Sequence, residues 1–221
     1  MALWRKWHLC CVAICVLSVA KPAPVLAESD DGWEIFDGDN WYWADSLQHP
    51  LYSVAVFGGE GSQQPWDDMI TEPWTIEGSG DWLVALAGNR VLGWYKDQLS
   101  IEVEGTVGYH FDRQTYYEFG LGIYARWHDF PWNDHVVTTL AVGTGPSYTT
   151  EYPILEVENE SEPGAGSKWL NQLNVEATLA LPRYPTTALL LRFQHRSGMF
   201  GLINDVHDGM SFLTIGLRQG F

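Results

Sequence analysis

Apolar and polar residues alternate along most of this chain, the period of a strand with two unlike faces. Over 99–111, Leu99, Ile101, Val103, Val107, Tyr109 and Phe111 share one face, and Ser100, Glu102, Glu104, Thr106 and His110 share the other. The pattern predicts further strands over 116–127, 169–181 and 187–197, and a last one in which Leu213, Ile215, Leu217 and Phe221 alternate with Thr214, Gly216, Arg218 and Gly220. Three weaker segments, 51–61, 81–93 and 135–149, bring the expected number of strands to eight. No run of about 18 apolar residues follows residue 27, so no helix is expected to span a bilayer.

Two architectures suit such strands. A soluble sandwich or barrel turns its apolar face inward; a membrane barrel turns it outward. The membrane form is favoured because the segments run longer than the roughly 5–6 residues usual in soluble strands and match the roughly 9–11 of a tilted membrane strand. Aromatics end the apolar faces (Tyr109, Phe111, Tyr117, Trp127, Trp169, Phe221), where an interfacial girdle belongs. The polar faces carry both signs of charge. Glu102, Glu104, Glu118 and Glu176 can pair across a narrow lumen with Arg126, Arg192 and Arg218, a structural network rather than a catalytic one. The expected fold is thus all-β, an eight-stranded antiparallel transmembrane β-barrel of the outer membrane type.

The loops fit this reading. Turns at 94–97, 128–134 and 182–185 are assigned to the periplasmic side, and the longer 62–80 and 150–167 to the outside. The outer loop 111–115 is short and fits less well. Residues 1–27 read as a cleavable signal peptide: Arg5 and Lys6, an apolar run from Leu9 to Ala20, then Val25-Leu26-Ala27. Residues 28–49 form an acidic, aromatic segment that plugs or braces the periplasmic mouth, or is a tail. Residues 50–221 form the barrel.

Composition then narrows the function classes. All three cysteines (Cys10, Cys11, Cys15) lie in the signal, which excludes a disulfide scaffold, a thiolate zinc site and a cysteine nucleophile from the remainder. The formal net charge is −16, and removal of the basic leader makes it more negative, so nucleic acid is not an expected partner. At 46% apolar the chain is not disordered. His110, His128 and His135 lack ligand spacing, so no metal and no other cofactor is expected.

His195 and Ser197 are two apart on a strand and share the face that carries Leu189, Leu191 and Phe193. If that face meets lipid, so does the pair, at the outer end of its strand. Polar groups placed there are costly and are usually functional. An imidazole can take the proton of a serine hydroxyl, and a third group then orients the ring. The bare motif alone favours the blander reading of two interfacial side chains bonding water and headgroups.

The stretch Leu191-Arg192-Phe193-Gln194-His195-Arg196-Ser197-Gly198, the loop to Gly209 and the ending Ile215-Gly216-Leu217-Arg218-Gln219-Gly220-Phe221 resemble the PagL family of lipid A 3-O-deacylases, also grouped as acyloxyacyl-hydrolase-like proteins. The resemblance implies an eight-stranded outer membrane barrel that hydrolyses the ester-linked 3-hydroxyacyl chain at position 3 of lipid A, with lipopolysaccharide as partner. It implies that Ser197 is the nucleophile and His195 the base. The family's third residue, a Glu about a dozen residues after its Ser, has no direct counterpart. Gly209 stands there, preceded by Asp205 and Asp208, either of which is the candidate acid. The family's Asn directly after its Ser is Gly198 here. Asn204 and the backbone N–H of Gly198 are the candidate oxyanion donors. Arg196, facing inward by parity, is read either as a contact to a lipid A phosphate or as a rim salt bridge with loop acids. The acids of 150–167 are read as a solvated loop or as sharers of divalent cations with lipopolysaccharide. A non-catalytic outer membrane barrel, structural or adhesive, is the alternative function, and a soluble periplasmic or secreted β-protein a third.

Overall fold

The computed structural model describes residues 41–44, 50–64, 69, 77–159, 166–207 and 209–221. The expected signal peptide therefore lies outside the described residues, as does most of the 28–49 segment. Among the described residues nine strands appear: β1 (Trp41–Trp43), β2 (Tyr52–Ser62), β3 (Gly78–Tyr95), β4 (Leu99–Asp112), β5 (Tyr116–Trp127), β6 (Val137–Thr149), β7 (Trp169–Ala180), β8 (Thr187–Ser197) and β9 (Gly209–Gly220). From β2 to β9 each strand pairs antiparallel with the next, and β9 pairs with β2 from Ser53↔Gly220 to Ser62↔Ser211. The result is a closed eight-stranded barrel, which leaves no edge among these strands for another chain to extend. The short β1 pairs with the inner end of β3 (Trp41↔Tyr95), and the Trp41 ring packs 5.2 Å from that of Tyr95. This part of the 28–49 segment thus adds a short strand beside β3.

The two faces are inverted relative to a soluble protein. On β5, Tyr117, Phe119, Leu121 and Ile123 are 45–61% exposed, while Tyr116, Glu118, Tyr124 and Arg126 are buried. Val84, Leu86, Val107, Leu140, Val142, Leu213 and Ile215 continue the outer apolar surface on neighbouring strands. So large a continuous apolar exterior suits hydrocarbon, and a closed barrel satisfies its backbone there without water. Among the described residues no helix is long and apolar enough to cross a membrane.

Inside, three carboxylates and three guanidiniums interlock. Glu176 receives Arg192 at 2.5 Å, Arg126 at 2.7 Å and Arg218 at 3.1 Å. Glu102 receives Arg126 at 2.9 Å and Arg218 at 3.0 Å, and Glu104 receives Arg192 at 2.9 Å. Glu118 stands apart from this set. It bonds His110 at 3.0 Å and accepts from Ser147 at 2.7 Å, so the Glu118–Arg pairing expected from sequence gives way to a second, upper cluster.

The other half of the lumen is apolar. Ala55, Phe57, Leu83, Ala85, Ala87, Leu190, Met210 and Phe212 pack together with Leu155. Strands β2, β3 and the start of β9 are therefore apolar on both faces, which blurs their alternation in sequence. It also explains why β9 begins at Gly209, four residues before the first position that the alternation marked. Leu155 belongs to a short helix, α1 (Ile154–Asn159), which caps the outer mouth. The 150–167 acids are thus not all solvated: Glu156, on α1, is fully buried.

Candidate functional site on the outer face of β8 and β9

Strand β8 carries the predicted pair at its outer end. His195 is opposite Leu173 on β7 and Ser211 on β9; Ser197 is opposite Asn171 and Gly209. All outward positions of this region follow from the two-residue period. The polar ones lie on four strands around outward Leu173: Thr144 on β6, Asn171 on β7, His195 and Ser197 on β8, Ser211 on β9. Thr144 Oγ1 and the Asn171 side-chain amide are bonded at 3.0 Å. Toward the membrane interior the same face becomes apolar, with Leu191, Leu213 and Ile215 exposed. At the other end Tyr148 and Trp169 pack at 4.8 Å, part of the outer aromatic girdle. The patch therefore lies at the end of the apolar band, between it and this aromatic pair.

His195 is sheltered although it faces outward. It is 9% exposed, its neighbour Phe193 is 7% exposed and Ser211 is 3% exposed, against 40% for Leu191 and 57% for Ile215. The Phe193 and His195 rings are nearly parallel, 6.3 Å apart. Nδ1 of His195 lies 2.9 Å from Oγ of Ser211. Ser197 is half-buried, and its Oγ accepts the Met199 N–H at 3.5 Å. Gly209, directly across from Ser197, contributes no side chain beside that hydroxyl.

The loop that leaves Ser197 is tightly folded. Met199, Phe200, Asn204 and Asp205 all have positive φ, and Gly201 a φ of 85°. Ile203 N–H donates to Gly198 O at 2.9 Å, and Gly201 N–H to Val206 O at 3.0 Å. Gly198 is required by this packing, since a Cβ would collide with the carbonyl oxygens of Val206 and Ile203. Phe200 and Leu202 each remain 82% exposed at its tip.

The other expected residues are placed as follows. Arg196 points into the lumen, where it is 1% exposed. Its guanidinium pairs with Glu156 and donates to Ser147 Oγ at 3.1 Å, Ser167 O at 2.8 Å and Lys168 O at 2.9 Å. It is therefore turned away from any lipid phosphate outside, and a loop acid is its partner. Burial pushes the Glu156 carboxyl up to about 7 despite the opposing pull of Arg196. The Asn204 amide donates to Ser167 Oγ and to Trp169 O, both at 2.8 Å, so it braces the loop against β7 rather than opening toward Ser197. Asp205 is exposed in the turn, with its carbonyl oxygen 3.1 Å from Nδ1 of His207. Asp208 lies outside the described residues. Two residues escaped the sequence reading: Ser211, which meets the imidazole, and Asn171, which flanks Ser197. A serine in the outward register of β9 beside the His195 position was the available signal, but β9 was read only from Leu213 onward.

No known protein family and no curated protein matches this chain by sequence. Solved structures do. The chain is similar to the outer membrane enzyme PagL, at 12% identity and a TM-score of 0.53, over 76% of this chain and 99% of that one. Neisserial surface protein A aligns at 14% identity and a TM-score of 0.48, over 77% and 97% of the two chains. The N-terminal β-barrel domain of Pseudomonas aeruginosa OprF aligns at 10% and 0.45, over 78% and 98%. The likeness to the first establishes the fold, an eight-stranded barrel of the outer membrane type.

Proposed function

We propose that this barrel is an outer membrane serine esterase that removes the ester-linked 3-hydroxyacyl chain at position 3 of lipid A. The observation that carries the reading is the polar patch itself. A sheltered, hydrogen-bonded imidazole and a serine hydroxyl share a face that is otherwise built for hydrocarbon, at the height where acyl chains meet sugars. Groups of this kind are expensive in lipid and are retained for function.

In the proposed reaction His195 removes the proton of Ser197 Oγ as that oxygen attacks the ester carbonyl carbon. The tetrahedral oxyanion collapses with cleavage of the bond to the sugar oxygen, and the imidazolium returns its proton to that oxygen. Water, deprotonated by His195, then attacks the acyl-serine; the imidazolium returns the proton to the departing Ser197 Oγ, and the 3-hydroxy fatty acid is released. Catalytic hydrogen bonds tighten in the substrate complex, so Ser197 and His195 close on each other when the ester is bound. The backbone N–H of Gly198 is the oxyanion donor that best suits this arrangement, because the Asn204 amide is already engaged.

Mass spectrometry of lipid A from cells expressing the protein, beside a Ser197→Ala control, tests the proposal. Loss of one 3-hydroxyacyl mass with the native protein alone is the expected result. Equal deacylation by Ser197→Ala, or none by either, overturns it. The second reading, a non-catalytic barrel, is favoured by one observation: no Glu follows Glu176 in the sequence, so the family's third residue has no direct counterpart.

A further inference from the structure

We infer that Ser211 is the positioning residue of His195, its hydroxyl holding the imidazole ring in place across the β8–β9 pair. This rests on the esterase reading above and adds to it the residue that sets the base.

The argument begins with burial. Ser211 is 3% exposed on an outward register position, where Leu213, Ile215 and Leu217 follow on the same strand. A buried hydroxyl without a partner is costly, and a leucine or alanine would suit this position better if nothing polar were needed. Its partner is the cross-strand imidazole, with Nδ1 at 2.9 Å from Oγ. Both residues sit within hydrogen-bonded strands, so the separation is set by the sheet register rather than by a mobile loop.

The consequence is chemical. A ring that donates Nδ1–H to Ser211 Oγ carries its lone pair on Nε2, and that nitrogen then serves as base toward Ser197. The same bond stops the ring from rotating and receives Nδ1–H when the imidazolium forms. A hydroxyl is neutral, however, so it supplies none of the Coulombic support that a carboxylate gives the imidazolium. The acidic limb of the kcat/KM profile with Ser at 211 therefore lies at lower pH than with an acid at 211.

The test uses the full barrel refolded in detergent micelles, with 15N-labelled histidine and with purified lipopolysaccharide in mixed micelles as substrate. In wild type and Ser211→Thr, the His195 ring is expected as the Nδ1–H tautomer. In Ser211→Ala that preference is lost, kcat falls on the order of 10²-fold and KM stays within about twofold, the loss lying within the range of general-base contributions. Ser211→Asp is expected to move the acidic limb of the kcat/KM profile to higher pH by about one unit. Unchanged tautomer and kcat in Ser211→Ala, or an unmoved limb in Ser211→Asp, overturns the inference while the esterase reading stands. A wild-type protein that releases no 3-hydroxy fatty acid overturns both.

Discussion

Glu156 on α1 and Arg196 on β8 are joined across the outer mouth of the barrel, and Arg196 is the residue between His195 and Ser197. The cap over the lumen is thus fastened to the strand that carries the candidate site. A second tie runs from the Asn159 amide to Gly209 O at 2.8 Å, opposite Ser197. The two partners of the pair differ in what they do when left alone. A carboxyl already pushed up to about 7 can take a proton, whereas a guanidinium stays charged. Glu156→Leu is therefore expected to destabilise the barrel by about 1–3 kcal/mol, the cost of leaving one buried donor of Arg196 without an acceptor while its bonds to Ser147, Ser167 and Lys168 remain. Arg196→Met is expected to cost less. Urea midpoints in detergent for the two variants give the order, and a larger loss in Arg196→Met contradicts it.

The same carboxyl makes the cap sensitive to pH. Its usual value is near 4.5 and its folded value is about 7, raised by burial, with Glu118 adding to the rise and Arg196 opposing it. A carboxyl raised on folding binds its proton more tightly in the folded state, so its contribution is fully present below pH 4.5 and is lost as pH rises through about 7. Helix α1 should therefore be seated more firmly at pH 5 than at pH 8. Amide hydrogen exchange over 154–159, corrected for intrinsic rates, should show greater protection at pH 5. The difference should vanish in Glu156→Gln.

Stability and chemistry are separable in the lower lumen. Glu176 holds three guanidiniums, and Arg192 also stacks 4.4 Å over the Phe57 ring, tying the charged half of the lumen to its apolar half. Glu176→Leu is expected to lower stability by about 3–5 kcal/mol. Hydrolysis per folded molecule should be unchanged, because the network lies on the opposite side of the wall from His195. Loss of turnover at full folding would tie the network to the site.

The barrel was legible because one face of most strands is continuously apolar and the other carries paired charges. Strands β4 and β5 are the plainest cases, since Glu102, Glu104 and Arg126 mark their inner faces. Strands β2 and β3 were fainter because Ala55, Phe57, Leu83 and Ala85 are apolar and inward. The His195–Ser197 pair could be read from spacing alone, since two residues on a strand share a side. Ser211 could not, because it reaches His195 through the β8–β9 register, which depends on where β9 begins. For Arg196 parity gives the direction and a loop acid is one of the partners expected, but which acid depends on α1, a short helix in a segment whose acids look solvated.

Phe200 and Leu202 lie just beyond Ser197 and are 82% exposed, next to a face that meets hydrocarbon. If they engage the lipid phase or the acyl chain, they act on binding rather than on bond breaking. Phe200→Ser with Leu202→Ser is expected to raise the apparent KM for lipopolysaccharide in mixed micelles about tenfold and to leave kcat unchanged, the pattern of lost uniform binding. A fall in kcat at constant KM would place the loop in the chemistry instead.

Gly198 offers the sharpest test of the loop that follows Ser197. A methyl group there meets two backbone carbonyls, those of Val206 and Ile203, which cannot swing aside as a flexible side chain could. Both belong to the turn closed by Ile203 N–H to Gly198 O and Gly201 N–H to Val206 O. Gly198→Ala must therefore displace the turn, and with it the Gly198 N–H offered to the oxyanion. Misplacement of about 1 Å at a reacting centre can lower turnover on the order of 10²-fold. The barrel itself should hold, because local loop opening draws on little of the global stability. The expected result is faster exchange at the Gly201 and Ile203 amides, an unchanged urea midpoint and a kcat reduced on that order. Wild-type kcat alongside faster exchange would remove the loop and the Gly198 N–H from the mechanism.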